Sequence, residues 1–162
     1  MTALYIIAGS LAYIYISHYI SYNILKKRIV EEQNWGLNIC CGKTDGGGVN
    51  ADIFKHKDVD NFVLVDDIYD LPFHDKKFDS VLCSHTIEHV DDPAGFFDEL
   101  QRVGDDVTVV IPPLYDISAV LNLFEHKWIF LSFKKRHKKL PPYIKLPMAR
   151  FVQNKYRQIN HA

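Results

Sequence analysis

Short apolar runs separated by polar turns dominate the middle of the chain, and each run has the length of a buried strand. They predict strands near residues 37–41, 49–53, 62–66, 79–84 and 107–111. Helices are predicted near residues 3–27, 93–103 and 115–131. Asp92-Pro93 supplies an N-cap and a first-turn proline for the second helix, whose Phe96, Leu100 and Val103 then share one face. Strands alternating with such helices indicate an α/β sheet.

The connection between the first two predicted strands is unusually short. Between Gly42 and Gly48 stand only five residues, Lys43 to Gly47. A crossover between parallel strands normally takes a dozen residues or more, usually as a helix. The pattern therefore predicts a shortened α/β fold in which the helix after the first strand is missing.

The N-terminus predicts a membrane anchor, because residues 2–25 carry no charge and are mainly Leu, Ile, Ala and Tyr. As a helix they would measure roughly 36 Å, enough to cross a hydrocarbon core of about 30 Å. Five tyrosines equally suit a helix that lies in the headgroup layer. The Lys26-Lys27-Arg28 cluster then places the rest of the chain on the cytosolic side. The alternatives are a helix packed on the domain and a signal peptide, which is disfavoured because no basic segment precedes the apolar run.

Length and charge refine this organisation. The 162 residues suffice for one domain, and three cysteines, two of them adjacent, suit a reducing compartment rather than a disulfide framework. Residues 31–125 contain all 20 acidic residues and six basic ones, whereas 126–162 contain ten basic residues and no acid. Basic ends around an acidic body predict a polyanionic partner. The N-terminal anchor favours an anionic membrane surface over nucleic acid, and a solvated, disordered tail is an equal alternative.

The most informative segment runs from Phe78 to His89. Its first half reads as a buried parallel strand, and Ser84-His85 follow at the strand end, where sheets of this class bind ligands. Four further motifs stand in a matching order: Leu37 to Gly42, Gly48 to Asp52, Asp67 to Phe73, and Ile87 to Val90. In order and spacing the chain resembles the small type-11-like branch of class I S-adenosylmethionine-dependent methyltransferases, over roughly residues 35–133.

The resemblance implies S-adenosyl-L-methionine as cofactor and assigns its contacts. Six residues would bind it: Cys40, Gly42, Asp52, Asp67, Ile68 and Ser84. Gly42 lets the backbone approach the ligand, whereas Cys40 stands where the family has a glycine. Asp52 would accept hydrogen bonds from the ribose hydroxyls, as acids do in dinucleotide folds. Asp67 would take the adenine amino group, the Ile68 N–H would face the ring, and Ser84 with His85 would border the methionine end.

Methyl transfer from a sulfonium needs mainly positioning, and for some acceptors a general base. Candidate bases are His85, His89 and His126, of which His85 is preferred from its place at the strand end. The run His85-Thr86-Ile87-Glu88-His89 also fits the zinc signature of inverted metallopeptidases. The strand directly before it favours the methyltransferase interpretation, and we expect no metal.

Together these patterns predict a Rossmann-like, mostly parallel sheet with flanking helices. The fold is truncated because no clear pair of strands follows residues 107–111, where class I methyltransferases usually finish with two. The predicted segments are an anchor helix at 1–28, the methyltransferase-like domain at 29–133 and a basic, proline-containing tail at 134–162. The function predicted is methyl transfer to a lipid-linked or glycan acceptor at the cytosolic membrane face. The alternative is a degenerate, non-catalytic module that acts as a membrane-bound partner.

Overall fold

The computed structural model describes residues 1–156, and a six-stranded sheet lies at its centre. The strands are β1 (Trp35–Ile39), β2 (Gly47–Asp52), β3 (Phe62–Leu64), β4 (Phe78–Ser84), β5 (Gly104–Val110) and β7 (Arg136–His137); β6 (Trp128–Phe130) and β8 (Tyr143–Lys145) form a separate antiparallel pair. The order across the sheet is β3-β2-β1-β4-β5-β7, with the first five strands parallel and β7 antiparallel to β5. The predicted mostly parallel α/β fold is confirmed.

Helices pack on this sheet, and the N-terminal helix extends past it. The helical segments are α1 (Thr2–Tyr19), a π-helical stretch (Ile20–Lys26), α2 (Lys27–Val30), α3 (Pro93–Val103), α4 (Ile117–Val120) and α5 (Ala149–Tyr156). Helix α3 has the predicted bounds, since Asp92 accepts a hydrogen bond from the Ala94 N–H at 3.1 Å. Its face of Phe96, Leu100 and Val103 is fully buried in the core that β1, β4 and β5 form.

The short crossover is real, and a polar network takes the place of the missing helix. Residues 40–46 return from the end of β1 to the start of β2 as a loop. The buried Asn38 donates to the Thr44 carbonyl at 2.9 Å and to the Asn50 side-chain oxygen at 3.0 Å. Asn50 in turn accepts the Gly46 N–H and donates to Asp45, both at 2.9 Å. Because these buried amides are hydrogen-bonded, the loop can lie against the strands without leaving buried polar groups unpaired.

The N-terminal helix is continuous from Thr2 to Val30, and its most apolar window has a mean hydropathy of 1.4 with 6% of it buried. Length and composition suffice for a membrane crossing, a property that signal sequences share. The helix also docks on the domain. Ser17 and Ser21 are buried, the Tyr13 hydroxyl donates to the Tyr115 carbonyl at 3.2 Å, and His18 Nδ1 lies 3.1 Å from Asp116 Oδ1. Its first half therefore exposes apolar surface while its second half contacts the fold.

Two sequence expectations for the C-terminal part are replaced. The predicted helix at 115–131 is wrong: α4 covers only Ile117–Val120, and β6 follows at Trp128–Phe130. Residues 134–156, set apart as a basic tail, contribute β7 to the main sheet, β8 to the small one and α5 after it. The described part of the chain thus has one strand beside β5 where the sequence indicated none. Residues 157–162 of the predicted tail lie outside the described residues.

Candidate functional site

Two cavities adjoin each other at the carboxyl edge of the parallel strands. One, of about 290 Å³, lies beside the β1–β2 loop and the end of β4, between Asn38 and Ser84. The other, of about 470 Å³, is lined by side chains from three parts of the chain, among them His89, Ser118 and His126. Tyr22 and His85 line both cavities, with their ring centroids 5.5 Å apart. We call these the loop cavity and the histidine cavity.

The turn after β1 forms one wall of the loop cavity. Cys40 and Gly42 both have positive φ angles, 50° and 57°, and both line the cavity. The Gly42 N–H donates to Asp52 Oδ2 at 2.7 Å, and the space where a side chain would project from Gly42 is open. Cys40 adopts a backbone conformation that favours glycine, the residue that the family resemblance implies at this position. Burial raises the pKa of the neighbouring Cys41 to about 11, so its thiol stays neutral at pH 7.

Ser84 supplies the loop cavity with an unused polar group. It stands at the end of β4, and its Oγ is buried without a hydrogen-bond partner among residues 1–156. Such a hydroxyl can donate to a carboxylate or accept from an ammonium group, the two groups of a free amino acid. At about 290 Å³ the cavity lies at the small end of ligand sites, which span about 300–1,000 Å³. The residues present therefore fit the amino-acid end of S-adenosylmethionine.

The acids predicted for the adenosine end are arranged differently. Asp52 is 5% exposed and holds the Gly42 turn, and it does not line the loop cavity. Asp67 is exposed, and its Oδ1 accepts the Tyr69 N–H at 2.8 Å. Ile68 is buried in the core. The structure thus brings Cys40, Gly42 and Ser84 together, whereas Asp52, Asp67 and Ile68 lie outside that cavity's lining.

The loop of residues 66–77, which contains Asp67 and Ile68, is fixed to α3 by hydrogen bonds with the ion-paired Glu99 and Arg102 and by an ion pair of Arg102 with Asp75 at 2.8 Å. Glu99 Oε1 accepts the Leu71 N–H at 2.7 Å and an Arg102 Nη2–H at 2.6 Å. Arg102 also donates to the carbonyls of Leu71 and Phe73, at 3.0 and 2.8 Å. A bidentate, charge-assisted pair of this kind holds both loop and helix in a set geometry.

His85, the preferred candidate base, has a positive φ of 57° and its side chain is 13% exposed. Nδ1 lies 3.2 Å from Glu88 Oε1, and Nε2 lies 2.6 Å from the Nζ of Lys135. Burial lowers the pKa of His85, and burial lowers the pKa of Lys135 to about 8. At neutral pH the imidazole is therefore uncharged and accepts a hydrogen bond from the lysine ammonium. A base role for His85 would require Lys135 to move away from Nε2.

Glu88, His89 and His126 form a second polar cluster, beside the histidine cavity. Burial lowers the pKa of His126 to about 4, so this imidazole is neutral at pH 7. Burial raises the pKa of Glu88, but its contact with His85 and the nearby histidine rings bring it down to about 2. Segment 125–128 is tied to this cluster, since the N–H groups of Lys127 and Trp128 donate to the Glu88 carbonyl at 2.8 and 3.3 Å.

Sequence reasoning missed the contribution of the N-terminal helix and of Lys135. Tyr22 and Lys26 line the loop cavity, and Lys135 is buried with its Nζ 2.9 Å from Ser21 Oγ. The available signal was the spacing of Ser17 and Ser21, which places two polar residues on one face of an otherwise apolar helix. Lys135 carried no signal of its own, because it stands inside a run of basic residues.

Comparison with known proteins finds a family match for the central segment of the chain. Residues 44–106 match the family model described as a methyltransferase domain. The resemblance to class I S-adenosylmethionine-dependent methyltransferases is thereby confirmed for this segment, and S-adenosylmethionine is the cofactor of that class. The match starts in the loop after β1 and ends within β5, so it covers strands β2 to β4 and helix α3. No curated protein matches the chain.

Several solved structures are similar to this chain. The complex of the Haloferax volcanii Trm112 methyltransferase activator with a methyltransferase matches at 18% identity, covering 60% of this chain and 53% of that one, with a TM-score of 0.42. An S-adenosylmethionine-dependent methyltransferase from Thermotoga maritima matches at 18% identity, 65% and 58% coverage, and a TM-score of 0.41. The PH0226 protein of Pyrococcus horikoshii OT3 matches at 18% identity, 88% and 81% coverage, and a TM-score of 0.45. The chain thus spans little more than half of the first two structures.

Proposed function

We propose that the protein is an S-adenosylmethionine-dependent methyltransferase that acts on a membrane-borne acceptor. The observation that carries the proposal is the pair of cavities that adjoin at Tyr22 and His85, on the carboxyl edge of a methyltransferase-type sheet. A group transfer between two molecules needs two adjacent binding spaces. The loop cavity, with Ser84 and the Gly42 turn, suits the cofactor's amino-acid end, and the histidine cavity suits the acceptor.

The cofactor supplies an electrophilic methyl group, and the chain's own residues contribute position and proton handling. Ser84 Oγ and the open turn at Gly42 would hold the amino-acid group on one side of Tyr22. On the other side, His89 and His126 line the acceptor space with imidazoles, and that of His126 is neutral at pH 7. A neutral imidazole can accept the proton that an acceptor hydroxyl loses during transfer. Holding both reactants in line is expected to provide most of the rate enhancement.

The membrane part of the proposal rests on the N-terminal helix. Large apolar side chains on it are more than half exposed at Leu4, Tyr5, Ile6, Ile7 and Leu11. An apolar surface of this kind favours contact with lipid, and Lys26, Lys27 and Arg28 favour the cytosolic, anionic leaflet. The same helix lines the histidine cavity through His18 and Tyr22. An acceptor held in the bilayer, such as a lipid-linked or glycan-type molecule, would therefore meet the site beside the helix.

Cofactor binding is tested through Ser84. In the full chain in detergent, we expect S-adenosylhomocysteine to raise the melting temperature. At 100 times its dissociation constant the ligand should add about 2.7 kcal/mol to the free energy of unfolding. Ser84→Ala should weaken the affinity roughly 10- to 100-fold, the value of a hydrogen bond to a charged group. Because the Ser84 hydroxyl has no partner within residues 1–156, the variant should fold as well as the wild type.

The matched control for that experiment is Thr108→Val. Thr108 Oγ1 is also buried without a hydrogen-bond partner in the described residues, but it does not line the loop cavity. The control should therefore keep the full thermal shift. A folded wild-type sample that shows no shift at millimolar ligand would instead support the degenerate, non-catalytic module. Equal loss of the thermal shift in both variants would show that the ligand does not bind in the loop cavity.

Membrane binding is tested by flotation of the full chain with vesicles of phosphatidylcholine containing 30% phosphatidylserine. We expect the wild type to float and Ile7→Lys to bind about 100-fold more weakly, since a lysine costs about 2.5–3.5 kcal/mol in the hydrocarbon region. Leu64→Lys is the control, because Leu64 is similarly exposed, at 59% against 57%, but lies on strand β3. Equal flotation of Ile7→Lys and the control would contradict a lipid contact through this helix.

A further inference from the structure

We propose that Glu88, His89 and His126 form a binding site for a divalent transition metal ion of the zinc type. Their candidate ligand atoms lie within 4.8 Å of one another, at the edge of the histidine cavity. Two imidazoles and one carboxylate are a donor set that zinc uses with a fourth, open position. Cofactor binding does not depend on this site, because none of its three residues lines the loop cavity, whereas a bound ion would occupy the His126 imidazole that the proposed function offers as a proton acceptor.

Glu88 is the residue that requires a partner. Its side chain is 1% exposed, and both carboxylate oxygens are buried without a hydrogen bond from any described residue. His85 Nδ1 at 3.2 Å and His126 Nε2 at 3.9 Å lie near Oε1, so these imidazoles offset part of the carboxylate charge, while Oε2 has no partner among the described residues. Coordination of a cation would satisfy both oxygens of this buried carboxylate, which one imidazole contact does not.

His89 is oriented as metal-binding histidines usually are. Its Nδ1 lies 3.0 Å from the Glu125 carbonyl oxygen. Because a carbonyl can only accept, Nδ1 carries the proton and Nε2 keeps its lone pair for a ligand. A hydrogen bond from the second ring nitrogen to a carbonyl is the common way of fixing a ligating histidine. Lys127, the residue after His126, donates its N–H to the Glu88 carbonyl, and this hydrogen bond keeps His126 close to Glu88 and His89.

The distances require little rearrangement. A tetrahedral ion with bonds of about 2.1 Å places its ligands about 3.4 Å apart. His126 Nε2 and Glu88 Oε1 are now 3.9 Å apart, and the widest pair is within 4.8 Å. Their rings and carboxylate would therefore approach by about 1.4 Å at most. The fourth position would face the histidine cavity, near Ser118 and Asn122, where a water molecule or an acceptor oxygen has space.

This site is distinct from the peptidase motif that the sequence contains. That motif would use His85 and His89 on one helical face, but residues 85–90 form turns and His85 is engaged by Lys135. The third ligand here is His126, which stands 37 positions after His89 and is brought to it by the fold, with ring centroids 4.7 Å apart. The expectation of no metal came from the strand before the motif, which favours the methyltransferase interpretation.

The test is calorimetric titration of chelator-treated full chain with zinc chloride, in the absence of cofactor. We expect one zinc ion per chain, no comparable binding of magnesium chloride, and affinity reduced more than about 100-fold in Glu88→Gln and in His126→Gln. His74→Gln is the control, because His74 is exposed and away from the cluster, and its affinity should equal that of the wild type.

A stability measurement separates a metal site from a structural ion pair. Without metal, Glu88→Gln should be somewhat less stable than the wild type, because it removes the carboxylate that faces His85 Nδ1 at 3.2 Å. With zinc, the wild type should gain stability and the variant should not. A variant that loses stability equally in both conditions, or one that binds zinc like the wild type, would overturn the proposal. Failure of zinc binding leaves the S-adenosylhomocysteine result unaffected, so the two proposals fail separately.

Discussion

Replacing Gly48 by alanine is expected to lower the free energy of unfolding by about 3 kcal/mol or more. An alanine Cβ at this position would overlap the Trp35 carbonyl oxygen and lie 2.7 Å from that of Gly36. Both neighbours are backbone atoms of β1, so no side chain can move aside. The parallel pairing of β1 with β2, on which the short crossover depends, would have to open. Urea denaturation followed by tryptophan fluorescence measures the loss.

The same substitution at Gly9 is the control. Gly9 lies in α1 with no atom within 4 Å of its added methyl group, and alanine is the better helix former there by about 1 kcal/mol. Gly9→Ala should therefore be neutral or stabilising. A loss of less than about 1 kcal/mol in Gly48→Ala would show that β1 and β2 do not approach as closely as described.

Glu99→Gln is expected to cost about 2 kcal/mol, the value of charge-assisted hydrogen bonds, because Glu99 is buried while the Arg102 side chain is 32% exposed. The amide keeps the shape of the side chain but replaces one acceptor oxygen by a donor group. It can no longer accept from both the Leu71 N–H and the two Arg102 nitrogens that Glu99 now contacts. Hydrogen exchange should also become faster at the backbone amides of residues 66–77, whose loop this pair fixes to α3.

Asp98→Asn is the matched control, because Asp98 is the neighbouring acid on α3 and is exposed. Its effect should stay within about 0.5 kcal/mol, as for ordinary surface changes. Equal losses in the two variants would indicate that helix charge, rather than the Glu99–Arg102 pair, stabilises this region. Exchange that stays slow across residues 66–77 in Glu99→Gln would contradict the anchoring role.

Local signals predicted those elements whose cause is local. Helix α3 was placed at both ends because Asp92 and Pro93 determine its start and a regular apolar face runs to Val103. The central strands β1, β4 and β5 were found because their mostly buried residues form short apolar runs. The prediction of a helix at 115–131 was wrong because the last part of this segment pairs with Tyr143–Lys145, a partner that no local pattern reveals.

The candidate site was predictable in part for the same reason. Cys40, Gly42, Ser84 and His85 follow strands β1 and β4, and neighbouring parallel strands end at one edge, so their meeting could be foreseen. The partners of His85 could not, because Lys135 stands 50 positions away and reaches it only after β7 pairs with β5. The cluster of Glu88 with His126 likewise depends on how segment 125–128 returns to the sheet.

Tyr22 belongs at once to the apolar helix and to both cavities. If the helix binds lipid as proposed, a shift of the helix in the bilayer would move Tyr22 and so change the shape of both cavities. Thermodynamic reciprocity then applies. If lipid binding changes the affinity for a ligand of these cavities by some factor, ligand binding changes the affinity for lipid by the same factor. In the proposed membrane-bound enzyme, lipid binding and ligand binding would therefore be coupled, and the dissociation constant for either one would have meaning only at a stated concentration of the other.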